Sequence, residues 1–150
     1  ELRKVLEGEM AALAATRRSK AQMQAIVQAL KKIDEDVAAG GDGVEADIAF
    51  HRSIAEATGN PLFLALTGFL FNFLRKATFT TRRIEAKKSS LSQQVDSEHR
   101  NIAEAISRRD PDAASAAARL HMDRLTQRLA SVNITELMCA NVDEVITDSD

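Results

Sequence analysis

The chain has 150 residues, of which 45% are hydrophobic and 28% are charged, and its formal net charge is −2. This composition is typical of one globular domain with a real core, and it excludes an intrinsically disordered chain. The slightly acidic balance argues against a nucleic-acid-binding surface spread over the chain, because phosphate binding needs a basic face. It does not exclude a DNA-binding domain attached to this chain.

The cysteine count and the termini narrow the class further. Cys139 is the single cysteine, so an intrachain disulfide and a cysteine-based zinc site are both excluded, and a reducing cytoplasm is the expected location. No apolar run approaches ~18 residues and no signal peptide is visible, so we expect no membrane span. The chain begins inside a helical pattern, "ELRKVLEGEMAALAATRRS", without Met or a cap. We therefore expect a fragment that lacks a segment on its N-terminal side.

Every long segment has the apolar spacing of an amphipathic helix, and none alternates like a strand. The first two helices are predicted at about 2–15 and 19–39, and the turn "GGDG" ends the second. Asp42 in that turn is the predicted N-cap of the third helix. The expected inward residues of the first helix are Leu2, Val5, Leu6, Glu9, Leu13 and Thr16. Those of the second are Met23, Ile26, Val27, Leu30, Ile33 and Val37.

The third helix is predicted at about 44–58, with Gly59 at its C′ position. Asn60 and Pro61 then open the fourth helix as N-cap and first helical residue, and this helix continues to about residue 87. Its expected inward residues are Leu62, Leu66, Phe69, Leu70, Phe73 and Leu74.

The fifth helix is predicted from a serine cap at 89 or 90 to about 109, and the sixth, opened by Asp110 and Pro111, to about 132. Residues 134–150 are only weakly patterned, so we expect a tail there with at most a short helix. Short turns between long helices favour antiparallel neighbours. The predicted fold is therefore all-α, an antiparallel bundle of about six helices.

Polar side chains interrupt three of the predicted apolar stripes. On the third helix Asp47 and His51 lie four residues apart within the stripe, which places their Cβ atoms about 5–6 Å apart on one face. His99 on the fifth helix and His121 on the sixth also fall at inward positions. All three histidines of the chain and one carboxylate are thus expected to point into one interior.

An unpaired carboxylate in an apolar core costs several kcal/mol, so Asp47 needs a compensating partner. A divalent ion such as Zn²⁺, Ni²⁺, Mn²⁺ or Fe²⁺ takes neutral imidazole nitrogens and a carboxylate oxygen together. The pattern therefore predicts a metal site formed by Asp47, His51, His99 and His121, with zinc or nickel as the expected ion. A five- or six-coordinate ion would keep a position open for water or an outside ligand.

Two other interpretations stand beside the metal site. The histidines could be ordinary hydrogen-bonded core residues of a metal-free structural bundle, with Asp47–His51 as an ion pair on the helix surface. Alternatively, a metal with an open position could activate water in a metal-dependent hydrolase. Such an enzyme needs a general base beside the ion, and helical phase predicts that Glu56 and Glu98 point away from the stripe.

Three stretches together, "ELRKVLE…AALAA", "ADIAFHRSIAEATGNPLF" and "SEHRNIAEAISRRDPDAASAAARLHMDRL", resemble the FCD domain. This is the C-terminal effector-binding domain of FadR-subfamily, GntR-type bacterial transcription regulators. The resemblance covers roughly residues 1–130, and we take 1–133 as the domain. It implies an all-α bundle around a cavity, with a metal held by one Asp and three His, which match Asp47, His51, His99 and His121.

The resemblance also implies a function. It indicates a sensor rather than an enzyme, a small carboxylate metabolite as effector beside the metal, and a homodimer. DNA would be bound only through an N-terminal winged helix-turn-helix domain, which we do not find in this sequence. Arg3 resembles a family arginine that can face the cavity, where it would pair with a carboxylate ligand; otherwise Arg3 is a solvated surface residue.

Overall fold

The computed structural model describes residues 1–87 and 89–131, which form six α-helices without any strand. The helices are α1 (Leu2–Arg17), α2 (Lys20–Ala38), α3 (Val44–Ala57), α4 (Pro61–Lys87), α5 (Ser89–Ser107) and α6 (Pro111–Ser131). The predicted all-α helical bundle is confirmed, with helix ends within about two residues of the predicted ones. The predicted tail at 134–150 lies outside the described residues.

Capping side chains determine where several helices begin. Ser19 begins α2 with a capping box: its hydroxyl accepts a hydrogen bond from the Gln22 backbone N–H, and the Gln22 side chain accepts one from the Ser19 backbone. The Asn60 side chain accepts from the first turn of α4, and the Asp110 side chain accepts from the first turn of α6. These caps satisfy N–H groups that helix ends leave free, so the chain can reverse in short turns.

The start of α3 differs from the prediction by one position. Gly43, not Asp42, is the N-cap, and its φ of +68° lies in the left-handed region that glycine adopts without strain. The Asp42 side chain accepts from the Val44 N–H at 3.1 Å, and the Asp36 side chain accepts from the Gly43 N–H at 2.7 Å. Two carboxylates therefore hold this turn by accepting hydrogen bonds from the backbone N–H groups of two consecutive residues, Gly43 and Val44.

The core lies between α1, α2, α3, α5 and α6. The most extensive helix contacts join α1 with α6, α5 with α6, and α2 with α3. The fully buried apolar side chains at its centre are Met10, Ile26, Phe50, Ile102 and Ile106. The inward stripe predicted for α2 matches this core at Met23, Ile26, Leu30 and Ile33, whereas Val27 is exposed and Val37 is half-buried. The polar residues predicted to point inward from α3 and α5, Asp47, His51 and His99, are buried.

The buried face of α1 is rotated by about one residue from the prediction. Leu2 and Val5 are exposed, as are Glu9 and Thr16, whereas the buried residues are Leu6, Glu7, Gly8, Met10, Ala11, Ala14 and Ala15. Small residues dominate this face because α6 packs closely on it. A Cβ at Gly8 would come within 2.7 Å of the Arg119 Nε atom.

The stripe predicted to face inward on α4 faces outward. Leu62, Phe69 and Phe73 are 75%, 63% and 76% exposed; Leu66 is also exposed and Leu70 is half-buried. The residues that α4 buries are Thr67, Phe71, Thr78, Thr81, Arg82 and Glu85. Large apolar residues set the predicted phase, but the inward face of this helix is mainly polar. Among the described residues, no helix combines the length and the apolar character that a membrane span needs, and α4 is long enough but not apolar enough.

Candidate metal centre

Three buried imidazoles from three helices meet in the interior. His51 lies on α3, His99 on α5 and His121 on α6, and their ring centroids are 4.6–5.6 Å apart. One ring nitrogen of each residue lies within 4.8 Å of those of the other two. Since Zn–N bonds are ~2.0–2.1 Å long, one ion could contact all three after small side-chain rotations.

Asp47 joins this cluster at its edge. Its Oδ1 atom is 3.3 Å from His99 Nε2 and 3.9 Å from Arg82 Nε. The distance from Asp47 to His99 is short enough for a hydrogen bond, but its angles are not those of one. His99 Nε2 therefore has no hydrogen-bond partner among the described residues. The carboxylate is buried, so the structure places all four predicted site residues in one region, with Asp47 beside His99 rather than among the three imidazoles.

A carboxylate that sequence periodicity did not assign to the site contacts His51. Glu7 Oε2 is 2.9 Å from His51 Nδ1. Burial alone would raise the pKa of Glu7, but His51 and the Arg3 guanidinium outweigh burial and lower this pKa to about 2. Burial alone would lower the pKa of His51, but the charge of Glu7 reverses the shift and raises it. A carboxylate at Nδ1 leaves Nε2 as the nitrogen available to a metal.

A second carboxylate holds His121 in the same way. Glu98 Oε2 is 2.8 Å from His121 Nδ1, and Arg128 donates from Nη1 and Nη2 to the two Glu98 oxygens at 3.0 and 3.1 Å. Burial raises the pKa of Glu98, but hydrogen bonds from His121 and Arg128 outweigh it and lower this pKa to about 2. Burial also lowers the pKa of His121, which favours a neutral ring.

His99 has no such carboxylate support. Neither of its ring nitrogens has a hydrogen-bond partner among the described residues, and the ring packs against Phe50 with 4.9 Å between centroids. Burial, followed by the neighbouring charges of His121 and His51, lowers the pKa of His99 well below its usual value. The ring is therefore held by packing and stays neutral near pH 7.

The residues present fit a divalent metal ion. Buried nitrogens without partners are costly, and here His51 Nε2 and both His99 nitrogens are in that state. Carboxylates at Nδ1 of His51 and His121 are the outer partners that metal-binding histidines usually have. Orphaned imidazole nitrogens, outer carboxylates and a nearby Asp47 together form the donor set of a nitrogen- and oxygen-ligated metal.

A cavity of about 350 Å³ lies beside the cluster and is bordered by His121 and Asp47. This volume is near the lower limit of the roughly 300–1,000 Å³ found for small-molecule sites, so a small metabolite suits it. Its large apolar lining residues include Leu70, Phe73, Val95, Met122, Leu125 and Leu129.

Arg3 borders the same cavity rather than standing in solvent. Its Nη2 atom is 3.1 Å from Glu7 Oε1, and its guanidinium lies 4.8 Å above the centroid of the Phe71 ring. The side chain is 15% exposed. Arg3 thus reaches the interior, where it supports Glu7 and contributes positive charge to the cavity wall.

A buried ionic network ties α4 to this region. Arg128 Nε donates to Glu85 Oε1 at 2.6 Å, and Arg82 Nη1 is 3.4 Å from Glu85 Oε2. Burial raises the pKa of Glu85 despite these two guanidiniums. Because Arg128 also holds Glu98, one side chain of α6 joins α4 and α5.

Sequence reasoning missed most of these charged partners. The prediction that Glu98 points away from the interior is wrong: Glu98 is buried, because its side chain extends from α5 toward α6. Glu56 is exposed, as predicted. Glu7 could have been identified from the sequence, because the small residues of α1 mark its closely packed face, and Glu7 lies on that face. No periodic signal pointed to Arg82, because a long side chain can reach the interior from many helical positions.

An all-α bundle with a buried three-histidine cluster beside a small cavity is the architecture of an effector-sensing regulatory domain. The chain belongs to the FCD family: the family model described as FCD domain matches residues 1–124. The family predicted from sequence is confirmed.

The relatives of this chain are transcription regulators. It is 34% identical over 132 residues to the HTH-type transcriptional regulator LutR of Bacillus subtilis, covering 87% of this chain and 60% of LutR. It is 31% identical over 126 residues to the HTH-type transcriptional repressor NanR of Cronobacter sakazakii, covering 82% and 46%. A solved structure of Streptococcus agalactiae GntR matches with a TM-score of 0.63 and 25% identity, over 87% of this chain and 55% of that one.

The chain spans roughly half to three fifths of the proteins it matches. Its family and relatives point to a regulatory domain of a transcription regulator and not to an enzyme.

Proposed function

We propose that this domain senses a small organic acid for a GntR-family transcription regulator, using a divalent metal bound by Asp47, His51, His99 and His121. The observation that carries the proposal is the set of buried imidazole nitrogens without partners, next to a small cavity. The ion would supply a fixed positive charge in a low-dielectric interior, which attracts a carboxylate. Zinc and nickel suit a site of three imidazoles and one carboxylate.

The chain's own residues prepare the site. Glu7 and Glu98 keep a proton on Nδ1 of His51 and His121 and fix both ring orientations. Arg3 stabilises Glu7 in its ionised form and adds positive charge to the wall of the cavity. The apolar wall excludes water, which strengthens every charge interaction inside.

A hydrolase that uses the same metal is disfavoured because the two carboxylates that contact His51 and His121 have low pKa values and are already hydrogen-bonded. A general base acts best with a pKa near the working pH. Glu98 and Glu7 each have a pKa of about 2 and already accept hydrogen bonds from arginine and histidine. A metal-free structural bundle is disfavoured for another reason, because it would leave the nitrogens of His51 and His99 unsatisfied.

The outward stripe of α4 supports a homodimer. Leu62, Leu66, Phe69 and Phe73 recur every three or four residues and are all exposed, and contiguous apolar surface of this kind marks interaction sites. In the whole protein, a DNA-binding domain attached to this one would work in the cytoplasm. The effector would then shift the equilibrium between two arrangements of the dimer. The free energy of this shift cannot exceed the difference between the effector's binding free energies for the two arrangements.

Metal analysis of the purified chain, followed by thermal melting with small organic acids, tests this function. We expect about one divalent ion per chain, and a melting temperature that rises with certain acids only in the metal-loaded form. An acid that is consumed during incubation would indicate an enzyme instead. A chain that takes up no metal under saturating zinc would support the structural bundle and refute the sensor.

A further inference from the structure

The cavity beside the imidazole cluster is open to solvent where α1 and α4 border it. Leu2 and Phe73 both line the cavity, yet these two residues are 62% and 76% exposed. Small-molecule sites usually bury about 70–90% of a ligand's surface, and charges interact strongly only where water is excluded. Because part of its wall is this exposed, the cavity of a single chain is incomplete as a binding site.

Phe73 also belongs to a regular apolar seam on the outer face of α4. The seam consists of Leu62, Leu66, Phe69 and Phe73, whose spacing of four, three and four residues is that of two paired helices. No charged residue occurs from position 61 to 74, so the seam can meet an identical seam without charge repulsion. Together the four residues expose on the order of 500 Å², so two copies would bury about 1,000 Å², the usual lower limit for a specific interface.

The distribution of large and small residues along the seam favours an antiparallel pair of α4 helices. The two phenylalanines lie at one end, with 6.1 Å between their ring centroids, and the two leucines lie at the other. Antiparallel pairing about an axis between residues 67 and 68 places Phe73 opposite Leu62. Phe69 then faces Leu66, so each larger side chain meets a smaller one. A Cβ at Gly68, beside this axis, would meet nothing within 4 Å, which leaves room for the second helix.

Building on the function proposed above, we propose that a second copy of this chain completes the effector cavity through an antiparallel pair of α4 helices. Leu62 of the partner subunit covers Phe73 and closes the mouth of the cavity on the side of α4. A two-fold axis makes the contact reciprocal, so both cavities receive the same cover. The closed cavity excludes water, which strengthens the charge interactions that bind an acid.

The fluorescence of a single Trp tests whether the second copy covers the mouth of the cavity. The chain has no Trp or Tyr of its own, so Phe73→Trp reports on this position alone. In the zinc-loaded chain, we expect its emission to shift to shorter wavelength, and its acrylamide quenching to fall at least about threefold, as monomer becomes dimer on concentration. Sedimentation equilibrium on the same samples gives the dimer fraction. Leu120→Trp, at an exposed position on α6, is the matched control and should not change.

Phe69→Glu tests the seam itself. This change places a charge in the centre of the paired helices, so dimerisation should weaken at least about tenfold. Combined with Phe73→Trp, it should keep the emission at the long wavelength of an exposed ring. Leu120→Glu introduces the same charge at another exposed apolar residue and should dimerise as the native chain does.

Cysteine cross-linking tests the orientation of the pair. Leu62→Cys and Phe73→Cys chains, each also carrying Cys139→Ser, are oxidised separately and as an equal mixture. The mixture should form a disulfide between the two variants at least about fivefold faster than either variant links to itself, because only facing positions come within disulfide reach. Faster self-linking of either variant would overturn the antiparallel pair.

The outcomes separate this inference from the proposed function. Short-wavelength emission of Phe73→Trp already in the monomer would assign the cover to another segment of the same chain and overturn the proposal. A dimer with the emission of the monomer would overturn it as well, as would a native chain that stays monomeric up to about 0.1 mM. If Phe73→Trp itself prevents assembly, the cross-linking decides. These results leave the sensor intact, because zinc uptake and acid-dependent melting are measured separately. A covered Phe73→Trp in a chain that takes up no zinc refutes the sensor alone.

Discussion

The two sides of the candidate metal centre contain the same arrangement of residues. On one side Arg3 contacts Glu7, and Glu7 contacts His51; on the other Arg128 contacts Glu98, and Glu98 contacts His121. The first set joins α1 to α3 and the second lies on α5 and α6. In each set an arginine keeps the glutamate ionised, and the glutamate fixes the ring.

The two sides nevertheless bind protons differently. The pKa of His51 is raised, because the charges of Glu7 and Asp47 outweigh burial. The pKa of His121 is lowered, because burial and the neighbouring His51 outweigh Glu98, whose charge Arg128 neutralises through two hydrogen bonds. Equal geometry therefore does not imply equal protonation: the pKa of each ring depends on how burial balances all of its charged neighbours, including the other imidazole.

The largest expected effect comes from removing a ring on either side. His51→Ala and His121→Ala should each reduce bound zinc from about one ion per chain to nearly none, because each loses a direct ligand. Elemental analysis after gel filtration measures this. Arg52→Ala, on the exposed residue beside His51, is the control and should retain zinc. Unchanged zinc content in either histidine variant would refute the ligand assignment.

Next in size is the effect of neutralising the glutamate on each side. Glu7→Gln and Glu98→Gln should each weaken zinc binding by about 10- to 100-fold, as loss of an outer partner usually does. The Glu98 variant should also lose about 3 kcal/mol of unfolding free energy, and more than the Glu7 variant, because it breaks a buried ion pair with Arg128; the loss lies at the low end because Arg128 keeps Glu85 as a partner. Chelator competition and denaturant unfolding measure the two quantities. A larger stability loss in Glu7→Gln would contradict this ranking.

The pH dependence should depend on His51. Its folded pKa is raised, so protonation stabilises the metal-free chain below the unfolded pKa of about 6.5, and this stabilisation is lost as pH rises through the folded value. Zinc needs the neutral ring, so zinc affinity should fall as pH decreases through the same window. His99 and His121, with lowered pKa values, stay neutral there.

Glu7→Gln removes the main cause of the raised pKa, so the decline in zinc affinity should move to lower pH. Zinc affinity measured from about pH 5 to 8 in both proteins tests this shift. A decline that stays at the same pH in Glu7→Gln would show that His51 does not control it.

The smallest effect is expected from a change remote from both sides. Asp110→Ala removes the side chain that caps α6 and should cost about 1 kcal/mol of unfolding free energy. Zinc affinity should remain that of the native chain. A change in zinc affinity would mean that the start of α6 influences the position of His121.

The sequence allowed a correct prediction of the helices, and the three histidines that it singled out lie together in the interior. Capping residues such as Asn60 and Asp110 contact backbone groups two or three residues away, so a short stretch of sequence is enough to predict them. His51, His99 and His121 stood out because a polar residue inside an apolar stripe is rare and costly. Whether they bind a metal stays a prediction.

The errors have a common physical origin. On α1 and α4 the largest apolar residues were taken as the buried face, but Leu2 and Phe73 are exposed. Close packing favoured alanine and glycine on α1, and the cavity required polar residues on α4. Contacts such as Glu7 with His51 join residues 44 positions apart, and their pairing depends on helix rotations that periodicity fixes only to about one residue.

Arg128 has a consequence for how this domain can change during evolution. Three of its nitrogens serve two carboxylates, Glu85 and Glu98, which belong to different helices. Lysine offers a single ammonium group and could not replace this planar fork. Homologues with lysine at this position should therefore also have replaced Glu85 or Glu98, so the three positions should vary together across lineages.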